Sequence, residues 1–147
     1  MNRTTATLIW PVMHPYDIPD GHCTIMFLGE AEEIGLEPEE ILSSVSETQA
    51  PGLVGVTSYE VFGDDDDQVW VALLDDEQLF DLRERIAIEL YRLGVESKSD
   101  YEDYRPHVTL APYESENQEL PDVPFVALGV PRLWWAGEVY TLGLETS

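Results

Sequence analysis

Two short stretches of this chain follow one rule. "HCTI" (His22 to Ile25) and "HVTL" (His107 to Leu110) each set a histidine, an apolar residue, a threonine and another apolar residue in that order. Each opens an apolar run of strand length bounded by Pro, Gly or Asp, which reads as a β-strand. Side chains alternate between the two faces of a strand. His22 and Thr24 therefore share one face, with Cys23 and Ile25 on the other. His107 and Thr109 likewise oppose Val108 and Leu110. The fold must supply two strands, far apart in the chain, whose backs are apolar and whose fronts each carry an imidazole and a hydroxyl.

The remaining chain alternates short strands with two helical segments. Thr5 to Val12 reads as the first strand rather than a signal peptide, because no cleavage signal follows "MNRTTATLIWPVM". The loop "HPYDIPDG" leads to a strand over His22 to Leu28. "LEPEEILSSVSETQA" reads as a helix with Pro38 in its first turn and Ile41 and Val45 on one face, stopped by Pro51-Gly52. "LVGVTSYEVF" and "QVWVALL" read as strands joined at "GDDDD". The four aspartates suit a solvated hairpin tip better than a calcium loop, which needs carboxylates at alternate positions and a later glutamate. "DDEQLFDLRERIAIELYRLG" is the clearest helix, with Asp75 or Asp76 to cap it and Gly94 after its end. Leu79, Leu82, Ile86, Leu90 and Leu93 form its apolar stripe. After "ESKSDYEDYRP" come the strand His107 to Ala111 and two more, around Pro124 to Trp135 and Glu138 to Leu144. Each half of the chain thus carries one helix and one His-x-Thr strand. A single α+β domain over residues 1–147 with two similar lobes follows: two antiparallel sheets around a central cleft, one main helix outside each lobe.

Charge narrows the function. Seven basic residues face thirty acidic ones, a formal charge of −23. Such a surface repels polyanions, and binding to long RNA or DNA relies on clustered Lys and Arg. No apolar run is long enough to cross a membrane. The single cysteine, Cys23, forms no intramolecular disulfide and fits a reducing, cytoplasmic setting.

The paired motifs carry the chemistry. An imidazole titrates near pH 6.5 and serves as base or acid at neutral pH. Two of them on opposite sides of a phosphorus can divide the work, one taking a proton from the attacking oxygen and one giving a proton to the leaving oxygen. Threonine hydroxyls can hydrogen-bond the phosphoryl oxygens. This chemistry uses His22, Thr24, His107 and Thr109, and calls for no metal and no cofactor. Other readings are weaker. A metal site on His14, His22, Cys23 and His107 lacks chelating spacing, because neighbours on a strand point apart. A nucleophilic Cys23 would have to face away from the helix. A core role for both histidines leaves the repeated threonines unexplained. A chain this acidic could instead mimic DNA or merely bind a nucleotide, inhibiting a partner, but neither accounts for the paired motifs.

At these residues the sequence resembles the two-histidine (2H) phosphoesterase superfamily, the group often labelled 2′-5′ RNA ligase-like. That family sets one His-hydrophobic-Thr/Ser-hydrophobic strand in each lobe. Pro106 before the second motif, Ala111 after it and "HCTIMFLGE" around the first also look like the family, and the order of elements matches over almost the whole chain. The resemblance implies a bilobal α+β fold and metal-independent phosphodiester chemistry on 2′,3′-cyclic phosphates, cyclic nucleotides or RNA ends. The compact, acidic form looks like versions from phages and bacteria, some of whose viral relatives cleave cyclic oligonucleotide signals of host immunity. Pro112 and Tyr113 stand where RNA-binding members often carry Arg or Lys. That departure points to a small nucleotide or cyclic oligonucleotide as substrate. Arg105 is placed to reach a phosphate, or else to pair with Asp103 or Glu102. Tyr113 and Trp10 are candidates to stack on a base. The order of acid and base roles between His22 and His107 is open, as is the oligomeric state.

Overall fold

Alternation along the strands decides which side of the sheet is buried. In the computed structural model, residues 4–15, 18, 21–45, 50–64, 66–75, 77–96 and 104–141 are described. Their elements are β1 (Thr5–His14), β2 (His22–Glu30), α1 (Ala31–Ile34), α2 (Pro38–Ser44), β3 (Gly52–Phe62), β4 (Val69–Leu74), α3 (Glu77–Arg92), β5 (His107–Pro112), β6 (Phe125–Leu128), β7 (Arg132–Trp135) and β8 (Glu138–Thr141). The strands run in the order β2-β5-β4-β3-β6-β1-β7-β8, and β2 pairs in addition with β1. The two expected sheets are therefore one hydrogen-bonded system that closes on itself through β1, β2, β5, β4, β3 and β6. Every pairing is antiparallel.

β1 makes the closure possible. It holds β2 along Thr5 to Pro11, β7 along Ala6 to Ile9, and β6 at Val12 and His14. Its even-numbered residues Ala6, Leu8 and Trp10 enter the core, where they meet Cys23, Ile25, Met26, Val108 and Leu110 from β2 and β5. α3 covers this side with Leu79, Leu82, Ile86 and Leu90. Burying aliphatic side chains of this size stabilises the fold by about 1.5–3 kcal/mol each.

Several boundaries differ from the sequence reading. The expected first helix is shorter, since α2 ends at Ser44, whose hydroxyl donates to the Ile41 carbonyl at 2.7 Å, and α1 is an additional single turn ahead of it. Residues 46–49 and 142–144 of the expected elements, like Asp76 and most of the loop before Tyr104, lie outside the described residues. The expected strand from Pro124 to Trp135 is two strands. Pro131 has no amide proton for a ladder, and the chain turns at Gly129-Val130-Pro131. A side chain at Gly129 would press on Met13 at 3.0 Å. The apolar stripe of α3 ends at Leu90, since Leu93 is exposed. Arg83 is buried beside the stripe at 1% exposure. Gly94 has φ +86 and closes the helix, with the Val95 amide donating to the Leu90 carbonyl at 3.0 Å.

Candidate active site

One backbone pairing assembles the site. Cys23 on β2 lies opposite Val108 on β5. Both side chains are fully buried in the core. Paired residues on antiparallel strands point to the same face. The neighbours of that pair, His22, Thr24, His107 and Thr109, must therefore all emerge together on the face turned away from α3. Continuing the register sets His22 across from Thr109 and Thr24 across from His107. Each histidine faces the threonine of the other motif. The two histidines are then diagonal neighbours, with backbones about 7–8 Å apart.

A bulge in β2 follows directly after the first motif threonine. The register moves from Leu8 opposite Met26 to Ile9 opposite Thr24, so Ile25 is the extra residue. Ile25 and Met26 are both buried while Thr24 keeps the motif face. The floor between the motif side chains is apolar. Ile9 lies opposite Thr24 and Val71 opposite Thr109. Both are buried, at 3% and 0% exposure, apart from the main core cluster.

Aromatic rings wall the two histidines. The His22 ring meets the edge of Trp134 at 4.4 Å and 62°, and the His107 ring meets Phe62 at 4.7 Å and 69°. His107 is further held by its Nδ1, which donates to the Arg105 carbonyl at 2.8 Å. A carbonyl only accepts, so the neutral ring carries its proton on Nδ1 and leaves the Nε2 lone pair available as a base. Burial pushes the His107 pKa below its ordinary value, and the charges of His22 and Arg105 push the same way against the raising effect of that carbonyl.

The backs of the motif strands are tied down by side chains. Past Cys23 no further β5 residue pairs with β2. Two groups take the carbonyls left over. The Tyr104 hydroxyl donates to the Thr24 carbonyl at 2.8 Å, and Arg83 Nε donates to the Ile25 carbonyl at 2.6 Å. The Arg83 guanidinium lies over the Tyr104 ring at 4.1 Å, a cation–π contact in a buried setting. Burial pushes the Cys23 thiol up to about 12, with the Tyr104 hydroxyl and the His107 amide pulling weakly the other way. Burial also raises the Tyr104 phenol, helped by the Cys23 charge and opposed by Arg83. Both groups therefore stay protonated near neutral pH.

The flanking candidates divide. Trp10 is fully buried and pairs with Cys23, so it points into the core and offers no surface to a base. Arg105 is engaged by Glu60 at 2.6 Å and lies over the Phe62 ring at 5.0 Å; Glu102 and Asp103, its other expected partners, lie outside the described residues. Tyr113 is half-buried just past β5, its ring 5.7 Å from Trp70. Gln118 fixes this corner: its Oε1 accepts from Trp70 Nε1 at 3.0 Å and from the Glu114 amide at 2.7 Å, and its Nε2 donates to the Pro112 carbonyl at 2.9 Å. His14 belongs to β1 rather than to a loop, and stacks on Phe125 at 5.7 Å. Phe62, Tyr104, Arg83 and Arg132 escaped the sequence reading. The signal for Arg83 was present, because an arginine four residues after Leu79 and three before Ile86 stands on the apolar stripe itself.

No family model matches this sequence, and no curated protein matches it. Solved structures do. The crystal structure of a phosphoesterase is 17% identical, with 92% of each chain covered and a TM-score of 0.55. Escherichia coli LigT complexed with NADP+ is 15% identical over 95% of this chain and 93% of its own, with a TM-score of 0.56. LigT complexed with 3′-AMP is 18% identical over 92% of each chain, with a TM-score of 0.51.

Proposed function

We propose that this chain, which has the fold of the 2H phosphoesterases, is a metal-independent phosphodiesterase acting on a nucleotide. The observation that carries this reading is the Cys23–Val108 pairing, since side-by-side motif strands in that register support a shared face for the two imidazoles and two threonine hydroxyls. LigT is complexed with NADP+ and with 3′-AMP in those structures, which supports a nucleotide as the ligand class here.

A phosphodiester would sit between His22 and His107 with its non-bridging oxygens toward Thr24 and Thr109. His107 enters as the base, because its tautomer exposes Nε2 and its burial favours the neutral ring. It takes the proton of the attacking oxygen, either water or a ribose hydroxyl. His22 gives a proton to the leaving oxygen. The Nδ1 bond to the Arg105 carbonyl holds the imidazolium as it forms. The substrate class is a 2′,3′-cyclic phosphate, a cyclic nucleotide or a cyclic oligonucleotide. Tyr113 stands at the rim as a stacking surface for a base. Arg105 can meet a phosphate only by sharing or leaving Glu60.

The test is turnover of 2′,3′-cyclic nucleotides, 3′,5′-cyclic mononucleotides and cyclic di- and trinucleotides in EDTA, by wild type, His22→Ala and His107→Ala. Turnover that resists EDTA and falls about a hundredfold or more in each variant is expected. No turnover of any member, or full activity in either variant, overturns the reading.

A further inference from the structure

A chain of charge −23 that binds phosphate needs a cation on the right face. The described arginines can be sorted by position. Arg83 is buried behind β2, and Arg85 and Arg92 belong to α3, which packs on the opposite side of the sheet from the motifs. Arg105 is tied to Glu60. Arg132 remains.

The register sets Arg132 in line with the site. Ile9 pairs with Thr24 on one flank and with Arg132 on the other. Leu8, the next residue, pairs with Leu133, and both are fully buried in the core. Arg132 therefore rises on the motif face, two strands and about 10 Å of backbone from Thr24. Trp134, two residues along the same face of β7, reaches back to touch the His22 ring at 4.4 Å. That contact shows that side chains on this face of β7 can reach the motifs. Arg132 is half-buried and forms no ion pair with any described carboxylate.

We propose that Arg132 is a second anion site of this cleft, selecting nucleotides that carry a further phosphate beyond the one held between the histidines. This rests on the phosphodiesterase reading for the position of the first phosphate. It points to oligonucleotide-like substrates, linear or cyclic, over mononucleotides with a single phosphate. A planar guanidinium suits a phosphate through two parallel hydrogen bonds.

The test uses unreactive probes, so that it is read apart from turnover. Affinities for 3′-AMP and adenosine 3′,5′-bisphosphate are measured by calorimetry at one fixed salt concentration, on wild type, Arg132→Gln and Arg132→Lys. Wild type should bind the bisphosphate about tenfold more tightly. Arg132→Gln should erase that ratio, and Arg132→Lys should retain part of it, with unchanged urea midpoints. A wild-type ratio near one, a ratio that persists in Arg132→Gln, or binding of neither probe overturns the assignment. Failure of the cyclic-nucleotide panel would remove the catalytic reading and leave this ratio still to be met or missed.

Discussion

Tyr104→Phe removes one oxygen and leaves the ring that Arg83 stacks on. The oxygen donates to the Thr24 carbonyl at 2.8 Å, and the Cys23 Sγ lies 3.9 Å away. A hydrogen bond of this kind is worth about 0.5–1.5 kcal/mol net, rising to about 1–3 when the partner is left dry. The Thr24 carbonyl stands one residue past the Cys23–Val108 pair, and the Tyr104 hydroxyl is the donor given to it. A loss of about 1–2 kcal/mol is expected. With a slope of about 1–3 kcal/mol/M, the urea midpoint falls by roughly 0.3–2 M. Equilibrium urea unfolding at pH 7, followed by tryptophan fluorescence, reads it directly. Turnover should fall as well, since the carbonyl belongs to the residue that presents the Thr24 hydroxyl. A destabilisation below about 0.3 kcal/mol with full turnover would mean that water replaces the hydroxyl at little cost, and the buttress argument would be wrong.

Two other outcomes follow from the same geometry. His107 has a depressed pKa in the folded chain, so the unfolded chain takes up a proton first as the pH drops. Its contribution to stability is therefore intact above about pH 6.5 and is lost as the pH falls through the folded value. An NMR titration of the His107 ring should show a midpoint below 6.5, and a midpoint above it would contradict the burial described. Cys23, held near 12 in the core, should resist alkylation by iodoacetamide at pH 8 in the native protein and react on unfolding. Rapid native modification would show that the β2–β5 seam opens to solvent.

The sequence carries face and period well, and neighbourhood poorly. The shared face of His22 and Thr24, and of His107 and Thr109, follows from alternation alone. So does the core direction of Trp10, which keeps step with Ala6 and Leu8; its position near a strand end was the weaker guide. α3 was legible within two residues at each end because its stripe, its acidic start and Gly94 agree. Strand adjacency was not legible. β5 lies between β2 and β4, which no local preference announces. Arg105 has acids beside it in the chain yet pairs with Glu60 on β3, because β4 brings β3 and β5 together. Trp134 and Arg132 acquire meaning only once β7 is known to lie against β1.

The joining of the two motifs by a single pair, Cys23 with Val108, has a consequence for how such a chain can drift. Strand faces obey odd and even counting, so a one-residue insertion or deletion in β2 or β5 would turn a histidine and its threonine into the core and bring apolar side chains out. The bulge at Ile25 is a tolerated irregularity because it falls after Thr24, where the count no longer matters to the chemistry. Loops elsewhere can lengthen at a small entropic cost. A lineage descended from this chain can therefore vary freely in its turns while the spacing inside two four-residue words stays fixed, and those words are what remain readable when the overall identity has fallen away.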